Sequence, residues 1–132
     1  MQHTPELQAL LRNLNKTSLF LGWLRKEGDS LIAAATLLGG HKWSKRAHIV
    51  VACARAGHDI TARRQELDAL RRLLNLELVD DIESEEAARF TAIHPDDPRA
   101  DEARLCAEAL DRGIRALEAL RLAGLSNVRE AA

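Results

Sequence analysis

From residue 98 onward the apolar positions hold the spacing of a single helix face. Cys106, Leu110, Gly113, Leu117, Leu120 and Gly124 follow one another at alternating steps of four and three. That narrow seam suits packing against an antiparallel or partner helix. Asp97 precedes Pro98, an N-cap followed by a proline where no N–H is needed. Asp101 and Glu102 then lie near the positive end of the helix dipole. Gly124 is placed to end the helix in the left-handed conformation, with Leu125 folding back on Leu120 as in a Schellman ending.

The same reading divides the rest of the chain. Thr4-Pro5-Glu6 opens a helix whose inner face is Leu7, Leu10, Leu11 and Leu14. A second apolar group, Leu19 to Leu24, continues toward Gly28 across a kink expected around Asn15 to Ser18. Asp29 or Ser30 caps a short Ala/Leu helix that Gly39-Gly40 ends. Ser44 caps the next, which runs through Ile49, Val50 and Val51 to Gly57. These three adjacent β-branched residues would also suit a buried strand over 47–54, but no second strand offers to pair with it. Asp59 or Thr61 opens a helix through Leu67, Leu70 and Leu74 that fades near Leu78. Ser84, with Glu85 and Glu86, opens one more, stopped by Pro95. The pattern predicts an all-α fold: a single compact bundle of five to six helices over 1–125, with a frayed tail over 126–132.

Composition agrees. Leucine and alanine number 22 each, against two Phe, two Trp and no Tyr, which favours helices over strands. At 132 residues and 46% hydrophobic, the chain can close one core without staples. Cys53 and Cys106 therefore read as small buried hydrophobes rather than a disulfide. No apolar run approaches the roughly 20 residues that cross a bilayer. Residues 1–6 lack the basic and apolar regions of a signal peptide. A cytoplasmic protein without membrane contact is expected.

Charge is segregated. Residues 41–72 carry +5 and residues 73–102 carry −8, within a net charge of −1. The basic stretch holds Arg55 together with Lys42, Lys45, Arg46, Arg63, Arg64, Arg71 and Arg72, the last seven a candidate face for nucleic acid or an acidic partner. A helix-turn-helix centred on Gly39 fails, because its register puts Lys45 where the second helix should bury an aliphatic residue. The dearth of aromatic residues argues against base stacking on a single strand.

Other chemistry is sparse. Arg89-Phe90-Thr91-Ala92-Ile93-His94 keeps an Arg-x4-His spacing and in these six residues resembles HEPN-type helical ribonucleases. The resemblance implies a catalytic role for Arg89 and His94, although Phe90 stands where that family has a polar residue. His48 lacks the following Lys and Gly of a histidine phosphotransfer domain. No Glu-x-x-His element or zinc-type spacing is present, so neither metal nor cofactor is expected. The reading that ranks first is a non-catalytic interaction or regulatory protein that binds other proteins. It would self-associate, as a homodimer, or dock a protein partner through Leu110, Gly113, Leu117 and Leu120, with the chain's own core covering part of that stripe. A nucleic-acid-binding module over 42–72 ranks second, and the helical ribonuclease third.

Overall fold

The structure, a computed structural model, describes residues 4–124. Among these it is all-helical. Five α-helices, α1 (Pro5–Gly39), α2 (His41–Arg55), α3 (Arg64–Leu74), α4 (Glu85–Thr91) and α5 (Pro98–Leu122), pack on one another, and a 3-10 turn at Ile60–Arg63 leads into α3. Residues 47–54 lie inside α2. Leu125 and the tail 126–132 lie outside the described residues.

The largest departure from the sequence pattern is at the start. The two helices expected over 4–28 and 29–39 are one, 35 residues long, or about 50 Å. The chain passes through Asn15 to Ser18 without leaving the helix, and the kink falls at Glu27 (φ −107°, ψ 17°). Gly28, next to it, lies under Val51 of α2, and any Cβ there would strike that side chain. The bend thus marks where α2 crosses α1. Asp29 and Ser30 remain inside the helix and cap nothing. Thr4 does cap the helix, accepting from the Leu7 N–H at 3.1 Å.

A single residue joins α1 to α2. Gly40 (φ 83°, ψ −163°) ends the one and begins the other, in a conformation nearly confined to glycine. Ser44 therefore lies inside α2, and its amide donates to the Gly40 carbonyl at 3.0 Å.

The remaining ends carry conventional caps. Asp59 accepts from the Thr61 amide at 3.0 Å and from its hydroxyl at 2.7 Å. Ser84 caps α4 through the Ala87 N–H, and Asp97 caps α5 through the Arg99 N–H. α3 ends in a Schellman motif, with Glu77 N donating to Arg72 O and Leu76 N to Leu73 O. Its left-handed position is occupied by a leucine, Leu76 (φ 63°).

α1 organises the core. It runs antiparallel to α5, with Phe20 against Gly113, and its second half packs on α2. Leu24, Leu31, Val50, Leu67, Leu70 and Leu110 are among the fully buried side chains at the centre. Two arginines tie helix ends to neighbours. Arg89 of α4 donates to the Thr36 and Leu37 carbonyls at the end of α1, at 2.9 and 3.3 Å. Arg25 of α1 donates to the Ala54 carbonyl at the end of α2, at 2.9 Å. Each brings a cation to the negative end of a helix dipole.

Candidate functional site

The seam of α5 lies inside the fold. Leu110, Leu117 and Leu120 are at most 3% exposed, covered by the chain's own helices. Gly113 carries the Phe20 ring where a side chain would be. The stripe is thus covered within the chain itself.

On the neighbouring stripe of α5 Leu105 and Arg112 are exposed, whereas Ala109 and Ala116 are buried. Leu105, Ala109, Arg112 and Ala116 recur at helical spacing one step round from the seam. Leu105 is 60% exposed. Across from this stripe stand Asn13, Lys16, Leu19, Phe20 and Trp23 of α1, at the same helical spacing, and between the helices runs a groove of about 400 Å³. Phe20 and Trp23 stack with ring centroids 6.2 Å apart and planes 13° apart. Leu19 stands 67% exposed at the edge.

The charged lining is of one sign. Lys16, Arg112 and Arg115 edge the groove, and no carboxylate does. Among the described residues none of these three cations is held in an ion pair, unlike Arg121 and Arg64, which both reach Glu118. Those two arginines, Arg121 first, hold the Glu118 carboxyl down at about 2.

A second cavity, about 440 Å³, opens between the ends of α1 and α3 and the faces of α4 and α5. Leu38, Leu74, Leu76, Phe90 and Ile93 make it mostly apolar.

The basic stretch is largely engaged within the fold. Lys42 pairs with Glu86 at 3.8 Å, and Glu86 also accepts from the Trp43 indole N–H at 2.9 Å. That indole bond, more than Lys42, lowers the Glu86 carboxyl below its ordinary value. Arg46 stacks 4.7 Å over the Trp43 ring. Arg63 pairs with Glu66, and Arg64 with Asp68 and Glu118. Arg71 is half-buried on α3, its Nε without a partner among the described residues. Lys45 and Arg72 are exposed and unpaired among the described residues.

Arg89 and His94 face different tasks. Arg89 is engaged on α1, as above. His94 is exposed in the turn before α5, its Nδ1 accepting from the Asp96 amide at 3.0 Å. The two cysteines are buried and unbridged. Burial, with Glu102 and Glu27 nearby, pushes the Cys106 thiol up to about 11, away from nucleophilic use. Among the described residues no cluster of three His, Cys, Asp or Glu side chains could hold a metal ion. No helix among them is long and apolar enough to cross a membrane.

The groove was not foreseen from the sequence, although its trace is there. Leu19 falls off the core stripe of α1, and Arg112 and Arg115 off the seam of α5. Only the antiparallel pairing of the two helices sets these side chains along one groove. No protein-family model, curated protein or solved structure matches this chain.

Proposed function

We propose that this chain is a small cytoplasmic interaction protein, regulatory in role, that works by binding protein segments in the α1–α5 groove. The observation that carries the reading is the groove's composition: an aromatic and aliphatic floor edged by three cations that enter no ion pair among the described residues. An exposed apolar patch with a charged rim is the usual character of a protein-docking surface. Its size and helical walls suit an apolar segment flanked by acidic residues, with the apolar contacts giving affinity and the cations selecting the partner.

Trp23 supplies the test. It is half-buried in the groove, whereas Trp43, the other tryptophan, is buried in the core. A designed Leu/Glu amphipathic peptide should shift the Trp23 emission to shorter wavelength as the ring loses water. The matching Leu/Lys peptide should not. Lys16→Glu combined with Arg112→Glu and Arg115→Glu should reverse that preference. Indifference to the sign of the peptide would overturn the reading.

A further inference from the structure

The loop between α3 and α4, residues 75–84, complements the groove. It carries Glu77, Asp80, Asp81 and Glu83 around Ile82, which is 88% exposed. No other large apolar side chain among the described residues stands so far into solvent. The loop is internally braced. The Ser84 hydroxyl and amide both donate to the Asp81 carbonyl, at 2.7 and 3.0 Å, and the Glu83 amide donates to the Asp81 carboxylate at 3.1 Å. Asp80, Asp81 and Glu83 enter no ion pair among the described residues. An isoleucine braced in water forgoes stabilisation that an apolar partner surface would restore.

We infer that the groove of one copy receives the Ile82 loop of another, so that this chain self-associates head to tail. The inference rests on reading the groove as a protein-docking surface, and it names the occupant. Ile82 would meet the floor around Phe20 and Trp23, while Asp80, Asp81 and Glu83 would meet Lys16, Arg112 and Arg115. The loop cannot fill its own groove. α3 contacts α5 through Asn75–Asp111 and Arg64–Glu118, on a side roughly 140° round α5 from Ala109, Arg112 and Ala116 at 100° per residue. The far end of the loop adjoins Gly40 through Glu85, about 30 Å along α1 from Phe20. Plug and socket thus face apart. A contact of this kind is heterologous, and it grows into chains or rings rather than closing as a two-fold pair.

The test is sedimentation of the full chain over a wide concentration range, at about 20 mM and about 500 mM salt, since high salt screens exposed charges. Species larger than a dimer should appear at low salt and recede at high salt. Ile82→Asp should weaken association about tenfold or more, as expected for losing a buried isoleucine, without changing circular dichroism. The loop reversal (Asp80→Lys, Asp81→Lys, Glu83→Lys) and the groove reversal (Lys16→Glu, Arg112→Glu, Arg115→Glu) should each give monomers. An equimolar mixture of the two should associate again. If only the groove reversal disrupts assembly, the loop is not the occupant, and the docking surface stands. A wild-type monomer that still binds the Leu/Glu peptide also overturns the inference and spares that surface. A monomer that ignores the peptide overturns both.

Discussion

Thr17 is the residue at which the local chemistry is least satisfied. It lies on the core stripe of α1 with Phe20, Leu21 and Leu24, fully buried, and its hydroxyl has no hydrogen-bond partner among the described residues. Thr36 and Thr91, also helical, each donate back to the carbonyl four residues before, at 2.7 and 2.9 Å. A buried hydroxyl left unpaired costs about 1–3 kcal/mol, and valine has nearly the same shape. Thr17→Val should therefore raise the urea midpoint, by an amount worth about 1 kcal/mol. A lower midpoint would mean that the hydroxyl is satisfied after all.

At the scale of elements, the fold depends on how helix ends are finished by other helices. α1 has no basic residue in its last turn, and Arg89 of α4 supplies one from outside. Hydrogen bonds to a charged group are worth about 1.5–3 kcal/mol, so Arg89→Ala should lower stability by about that much and loosen the short α4. His94→Ala, at an exposed turn, should change stability by less than about 0.5 kcal/mol. Thermal unfolding of the two variants separates these expectations. Measuring RNA cleavage on the same samples tests the ribonuclease resemblance independently, since a catalytic His94 would show as lost activity without lost stability.

For the molecule as a whole, charge ties elements together and makes stability depend on pH. Glu118 of α5 binds Arg121 on its own helix and Arg64 of α3. Its carboxyl titrates at about 2 in the fold against an ordinary 4.5. A lowered carboxylate pKa stabilises the fold wherever the unfolded chain would already be ionised. That contribution is present above about 4.5 and is lost as pH falls toward about 2. The Glu86 and Asp97 carboxyls, also lowered by their partners, act in the same direction. Denaturant midpoints recorded from pH 6 down to pH 2 should fall in the lower half of that range. Glu118→Gln should flatten the fall, and added salt should reduce it for so exposed a group. An unchanged profile in Glu118→Gln would remove Glu118 as a source of the acid sensitivity.

Helix type and most caps were legible in the chain because they are local. Thr4, Asp59, Ser84 and Asp97 each cap through an amide two or three residues on, and Gly57 and Gly124 take the left-handed backbone their positions imply. Other features needed a partner distant in sequence. The continuity of α1 past Asp29, its bend at Glu27 and the direct joint at Gly40 follow from where α2 and α4 pack. Those contacts outweigh the weak preference of Asp29, Ser30 and Ser44 for capping positions. The seam of Leu110, Leu117 and Leu120 was readable as a surface that must be covered, either by the chain's own helix or by a partner, and only the fold decides that the chain's own helices cover it. Periodicity says which side of a helix avoids water and is silent on which helix meets it. The groove lies at the far end of that limit, because its edges are side chains, Lys16, Leu19, Arg112 and Arg115, that each helix, taken alone, leaves off its apolar face.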